Sequence, residues 1–115
     1  MAEEPHRGEP VDRAVLQSLS DALGGADSLT EVIDAYLAGT PELVGLLASP
    51  DIAEVRRAAH SMKSGAQALG ASMLAELAAE AERVARAGAP LRVELVGAVS
   101  DEYRRVAAQL AALRA

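Results

Sequence analysis

Apolar residues recur every three or four positions along most of the chain, which is the spacing of amphipathic helices. Glycine, proline and capping residues divide this pattern into five segments. The predicted helices run from about Pro10 to Leu23, Ser28 to Leu47, Ser49 to Leu69, Ser72 to Gly88 and Pro90 to Leu113. Four of these segments are long and have short connections. The pattern therefore predicts an all-α fold, an antiparallel up-down four-helix bundle with an additional short N-terminal helix.

The second segment carries two local signals that bear on its limits. Ser28-Leu29-Thr30-Glu31 fits a capping box at its start. Thr40-Pro41 permits either a kink or a break, because proline removes a backbone donor and threonine could cap a fresh helix. A similar signal places Ser72 as the cap of the fourth helix.

The length of 115 residues predicts one domain. We expect residues 1–9 to be a flexible tail and residues 10–115 to form the helical bundle. The tail is acidic and polar, unlike a signal peptide, and no apolar run is long enough to span a membrane. The expected location is the cytoplasm, without membrane association.

Composition excludes several classes of function. The chain has no cysteine, and therefore neither a disulfide nor a thiolate site. Its formal net charge is −6 and its only aromatic residues are Tyr36 and Tyr103, which argues against nucleic-acid binding. A core without Phe or Trp depends on Leu, Val and Ala, and this suits closely packed helices.

The segment from His60 to Gly65 carries the candidate chemistry. Lys63 is the only lysine of the chain, and on a helix it neighbours His60, as does Ser64. A neutral imidazole is a nucleophile near physiological pH, and an adjacent ammonium favours phosphate. The pairing predicts a histidine that carries a phosphoryl group.

The helix face around His60 supports this prediction. Helical spacing places His60 nearly opposite the apolar stripe of its helix. The same face of that helix carries no carboxylate within one turn, and its polar residues are Arg56, Arg57, Lys63, Ser64 and Gln67. Gly65 costs about 1 kcal/mol relative to alanine in a helix interior. Close approach of a neighbouring helix, or of a partner's loop, would explain it.

The segment Ala59-His60-Ser61-Met62-Lys63-Ser64-Gly65-Ala66-Gln67-Ala68-Leu69-Gly70-Ala71 resembles the histidine-containing phosphotransfer (HPt) domains of two-component phosphorelays. It matches their pattern of His, an apolar residue, Lys, small residues and Leu-Gly-Ala, and Leu74 and Leu77 continue the match. The resemblance extends over the surrounding helices, from about Val11 to Leu113. It implies that the second helix continues through Thr40-Pro41.

The resemblance also implies roles for individual residues. His60 would accept the phosphoryl group on Nε2, and Lys63 would stabilise the phosphoryl oxygens. Ser64 stands where the family commonly has glycine and would contact the phosphate or simply keep the site open. Glu82 stands where a Gln or Glu usually accepts a hydrogen bond from the imidazole Nδ1. Arg86 falls where some members place a phosphate-contacting base.

The residue that orients the imidazole has more than one candidate interpretation. A carboxylate that accepts from Nδ1–H would fix the tautomer and leave Nε2 free, as in catalytic triads. Glu82 could instead pair only with Arg86, four residues later. Gln67 is the other candidate for orienting the imidazole. Arg56, Arg57 and Gly65 are assigned to docking of the partner.

The expected function is reversible exchange of a phosphoryl group between His60 and an aspartate of a response-regulator receiver domain. The expected partners are this receiver and a sensor histidine kinase, and the chain is expected to be a monomer. We expect no intrinsic metal or cofactor, with Mg²⁺ supplied by the receiver, and a phosphocarrier without autokinase activity. The alternatives are the phosphoacceptor domain of a chemotaxis-type histidine kinase and a helical interaction module that takes no phosphate.

Overall fold

The computed structural model describes residues 9–114, and these residues form five α-helices and no β-strand. The helices are α1 (Arg13–Leu23), α2 (Ala26–Leu46), α3 (Ile52–Ala68), α4 (Ser72–Arg86) and α5 (Val93–Arg114). The all-α prediction is confirmed. Apart from Glu9, the predicted tail lies outside the described residues, so its flexibility stays a prediction.

The four longer helices close into a bundle. Helix α3 contacts α2 and α4, and α5 contacts α4 and α2, while α1 packs on α2. Residues 47–51, 69–71 and 87–92 connect successive helices of the bundle, so the helices run antiparallel. The predicted up-down arrangement with an added N-terminal helix is confirmed.

The core is built from aliphatic side chains, as the composition requires. Its largest fully buried members come from all four bundle helices, their connections and the segment before α1: Val11, Ile33, Leu47, Val55, Met62, Leu69, Leu74, Val99, Val106 and Leu110. Tyr103 belongs to this core and Tyr36 packs against it, with the ring centroids 6.0 Å apart. Most of the remaining buried positions of α3 and α4 are alanines, which allow two helices to approach closely.

Helix α3 presents the candidate site and has well-defined ends. Its N-cap is Asp51, whose side chain accepts hydrogen bonds from Ala53 N (3.0 Å) and Glu54 N (3.4 Å). At the other end Gly70 has a φ of +77°, a left-handed conformation that favours glycine. Both ends agree with the sequence prediction to within about one turn.

Two sets of hydrogen bonds fasten the start of α1 to the bundle. Asp12 N donates to Gly70 O at 2.9 Å, which places α1 against the turn between α3 and α4. Val11 N donates to Gln109 Oε1 at 2.8 Å, and Gln109 Nε2 donates to Val11 O at 3.2 Å. The residues that lead into α1 are therefore anchored both to the turn between α3 and α4 and to α5.

Helix α2 continues through Pro41, as the family resemblance implied and against the local break signal. Proline cannot donate to the carbonyl of Leu37, four residues earlier. Thr40 is buried, and its Oγ1 donates to the carbonyl oxygen of Tyr36 at 2.7 Å. Burial of Thr40 and packing of Leu37 and Leu43 against the core favour the helix over a break.

Two predicted caps are wrong. Helix α2 begins at Ala26, two residues before Ser28, because Gly25, with a φ of +136°, turns the chain directly into the helix. Ser72 is the first residue of α4, and the N-cap is Ala71. Ala71 is fully buried, so packing of the α3–α4 turn places the boundary and the serine hydroxyl does not.

The start of α5 also differs from the prediction. This helix begins at Val93, three residues after Pro90, and the carbonyl of Arg92 accepts hydrogen bonds from Leu95 N (3.0 Å) and Val96 N (3.1 Å). Leu91, in the connection before it, packs against the core. Because Leu91 packs against the core, residues 90–92 form part of the connection, although the proline signal had assigned them to the helix.

Gly65 lies where α3 meets α2. A Cβ atom at this position would lie 3.1 Å from Cε1 and 3.4 Å from Cδ1 of Tyr36. Of the two explanations for this glycine, the close approach of a neighbouring helix is therefore present in the structure. Its predicted part in partner docking stays a prediction.

We predict that Gly65→Leu lowers the free energy of unfolding by about 1–3 kcal/mol, because the side chain must displace Tyr36. The matched control is Gly97→Leu in α5, where an added Cβ meets no atom of residues 9–114 within 4 Å. This control should leave stability unchanged or raise it by up to about 1 kcal/mol through helix propensity. Urea unfolding followed by circular dichroism measures both, and equal effects of the two substitutions would contradict the proposed contact.

Candidate functional site

His60 projects from the outer face of α3, opposite the stripe that enters the core. Its neighbours Ala59 and Met62 are buried, whereas 58% of the His60 side chain is exposed. The position derived from helical spacing is the position observed. An imidazole held in this way is accessible to a partner protein.

Glu82 of α4 holds one nitrogen of this imidazole. The His60 Nδ1 lies 3.0 Å from Glu82 Oε2, and only 6% of the glutamate side chain is exposed. Of the two candidates for orienting the imidazole, Glu82 is thus the residue in contact. Gln67 is exposed, and no hydrogen bond joins it to His60.

The same carboxylate binds two further cations. Lys63 Nζ lies 2.7 Å from Glu82 Oε1, and Arg86 Nη2 lies 3.5 Å from Glu82 Oε2. The alternative in which Glu82 pairs only with Arg86 is therefore wrong for this structure. Three side chains share one buried carboxylate.

These contacts lower the pKa of Glu82 below its ordinary value of 4.5. The hydrogen bond from Lys63 is the largest cause, burial acts in the opposite direction, and the hydrogen bond from His60 adds to the lowering. Glu82 is consequently ionised at neutral pH and can only accept hydrogen bonds.

The ionised carboxylate determines which nitrogen of His60 carries the proton. Because Glu82 can only accept, the 3.0 Å contact assigns the hydrogen to Nδ1. In the neutral imidazole the lone pair is then on Nε2. Among the described residues none makes a hydrogen bond to Nε2, so this nitrogen is available as a nucleophile.

The exposed side of His60 opens into a shallow surface depression. Its lining residues come from α3 and α4 and are Arg56, Arg57, His60, Ser61, Glu82 and Arg86. Three guanidinium groups and a single carboxylate, itself paired with Lys63, give the depression a positive character on an acidic chain. This charge suits a phosphoryl group.

The remaining predicted residues lie around this depression. Ser64 and Gln67 are exposed on α3 outside its lining, and Lys63 is half-buried with its ammonium turned towards Glu82. The roles of Ser64, Gln67 and Lys63 in binding phosphate stay predictions.

Sequence reasoning did not single out Ser61, which lines the depression next to His60. Adjacency to His60 was the only available signal, and neighbouring residues on a helix usually point in different directions. The pair formed by Lys63 and Glu82 was also missed, because its two members lie on different helices.

Residues 9–114 contain no cluster of three or more His, Cys, Asp or Glu side chains suited to a metal ion. None of the helices in this part of the chain is long and apolar enough to cross a membrane.

The sequence model of the Hpt domain family matches residues 13–115, nearly the whole chain. The chain belongs to the Hpt family. The resemblance noted from the sequence is thereby confirmed, and with it a place in histidine phosphotransfer within phosphorelays. Proteins of this family are phosphocarriers rather than enzymes.

A solved structure supports the same assignment. This Hpt domain is similar to histidine-containing phosphotransfer protein B (HptB) from Pseudomonas aeruginosa PAO1, with a TM-score of 0.83 and 27% sequence identity. The alignment covers 92% of this chain and 95% of HptB. No curated protein matches the sequence.

We predict that Glu82→Gln lowers the free energy of unfolding by about 1–2 kcal/mol near neutral pH, because the amide loses charged hydrogen bonds. The folded-state pKa of Glu82 is depressed, so the stabilisation is present above 4.5 and is lost as the pH falls through the lower folded value. The difference in the free energy of unfolding between wild type and variant should therefore become smaller as the pH falls. Urea unfolding at a series of pH values measures it.

The matched control for this prediction is Glu80→Gln. Glu80 is an exposed residue of the same helix that pairs with Arg83 at the surface. Its loss should change stability by less than about 0.5 kcal/mol at every pH. If the loss of unfolding free energy caused by Glu82→Gln stays constant down to strongly acidic pH, the assigned ion pairs are contradicted.

Proposed function

We propose that this Hpt domain carries a phosphoryl group on Nε2 of His60 and exchanges it with an aspartate of a response-regulator receiver domain. One observation carries the proposal: an exposed imidazole whose Nδ1 is held at 3.0 Å by a buried, ionised carboxylate. This arrangement leaves the other nitrogen free to attack, beside a depression rich in arginine.

The proposed reaction forms one bond and breaks one. The lone pair of His60 Nε2 attacks phosphorus, and the bond between phosphorus and the receiver's aspartyl oxygen breaks, with its electron pair remaining on the aspartate. Nδ1 keeps its proton, so the ring becomes positively charged. Glu82 stabilises this charge through the same hydrogen bond that selected the tautomer.

The reverse reaction uses the same groups. Neutralising the ring requires no proton transfer to solvent, because the carboxylate stays in place and the Nδ1–H bond is unbroken throughout. Transfer of the phosphoryl group in either direction consequently carries no additional free-energy cost for moving a proton. A carrier that exchanges its group reversibly benefits from this symmetry.

The remaining parts of the proposal concern the partner and the setting. The transfer requires a divalent cation to neutralise the developing charge, and we propose that the receiver domain binds this Mg²⁺. A sensor histidine kinase as the source of the phosphoryl group, a monomeric state and a location in the cytoplasm stay predictions. So does the lack of autokinase activity.

The first test is incubation of the chain with a phosphorylated receiver domain and Mg²⁺, followed by intact-mass analysis. We expect the gain of one acid-labile phosphoryl group by the wild type and none by His60→Gln. The matched control is His6→Gln, since His6 is the other histidine of the chain. This variant should be labelled as the wild type is.

Three outcomes would contradict the proposal. Labelling that persists in His60→Gln would place the phosphoryl group on another residue. Absence of labelling in the wild type, with several active receivers, would favour the interaction module that takes no phosphate. Labelling that depends instead on a catalytic kinase domain and ATP would favour the chemotaxis-type alternative.

A further inference from the structure

The cations near His60 fall into two groups that differ in what they contact. Lys63 is engaged: its ammonium lies 2.7 Å from Glu82 Oε1, and only 27% of its side chain is exposed. Arg56 and Arg57 are exposed, and neither forms an ion pair with any residue in the range 9–114. The engaged cation is thus the one that the family pattern would direct at phosphate.

Helix geometry places Arg56 and Arg57 on the side towards which the His60 side chain leans. Side chains on an α-helix lean towards its N-terminus, so the His60 ring lies over the turn that carries Arg56 and Arg57. Both arginines line the depression at the exposed side of the ring, together with Arg86. Lys63 follows His60 in the chain and is not part of this lining.

The energetics point in the same direction. If Lys63 moved to the phosphoryl group, Glu82 would lose the contact that contributes most to its lowered pKa while its carboxylate remained buried. Breaking the shortest of the three contacts of a buried carboxylate is unfavourable. Within the described part of the chain, Arg56 and Arg57 have no such ion pair to give up. A guanidinium can also bind two phosphoryl oxygens at once.

We propose that Arg56 and Arg57 bind the phosphoryl oxygens on His60, whereas Lys63 is a positioning residue that holds Glu82. The inference rests on the proposed function, because it assigns contacts to a phosphoryl group at Nε2. It also changes the role of the two arginines, which the sequence had assigned to docking of the partner.

The equilibrium of exchange with a receiver domain separates phosphoryl binding from docking. Docking changes the rate of transfer, but it cannot change the ratio of the two free phosphorylated proteins at equilibrium. We expect the double variant Arg56→Gln/Arg57→Gln to lower the ratio of phospho-His60 to phospho-receiver about tenfold. The matched control is Arg92→Gln/Arg104→Gln, which removes the same charge from exposed positions outside the depression.

The role of Lys63 is tested by NMR spectroscopy of its own side chain. As the only lysine of the chain, it gives a single side-chain resonance after selective ¹⁵N,¹³C-lysine labelling. We expect this resonance to change little when phosphoramidate, a small donor, phosphorylates His60 in the absence of a receiver. Glu82→Gln should shift it strongly, because that substitution removes the partner of the ammonium.

Each part of the proposal has an outcome that overturns it. If the double arginine variant slows transfer but leaves the equilibrium ratio equal to that of the control, the arginines act in docking only. If phosphorylation shifts the Lys63 resonance as much as Glu82→Gln does, the ammonium moves to the phosphoryl group. If neither phosphoramidate nor phosphorylated receivers label the wild type, the proposed function itself is refuted. This result is distinguishable from the two above, in which the wild type is labelled.

Discussion

The close packing of α3 against α4 is the constraint on which the site depends. The buried face of each helix is rich in alanine: Ala58, Ala59 and Ala66 on α3, and Ala75, Ala78, Ala81 and Ala85 on α4. Small side chains allow the helices to approach closely, and Glu82 then reaches across to His60 and Lys63. Larger residues between the helices would move the carboxylate away from the imidazole.

The buried carboxylate links stability to chemistry. An ionised group in the interior is costly, and here hydrogen bonds from His60 and Lys63 offset the cost. The same contacts fix the proton on Nδ1 and leave Nε2 exposed. Since Arg86 is also near Glu82, the charge that orients the imidazole is largely neutralised before any phosphoryl group arrives. The depression therefore stays positive although it contains a glutamate.

Local sequence signals predicted the helices well and their ends less well. Apolar spacing located all five helices, and the face of α3 that carries His60 was correct because the helical period alone determines it. The capping box at Ser28 and the cap at Ser72 were wrong, since a glycine turn and the burial of Ala71 moved those boundaries. Pro41 remained within α2 because its surroundings are packed against the bundle.

The sequence by itself determined which residues share a face of one helix, and hence the exposed histidine, the arginines one turn before it and the single lysine one turn after it. Only the tertiary structure decided that Lys63 binds Glu82, that Tyr36 fills the space beside Gly65, and that Arg56 and Arg57 line the depression with His60. The physical reason is that the two kinds of contact have different origins. The helical repeat specifies neighbours along one helix, whereas contacts between helices depend on the distance and angle at which the whole core packs.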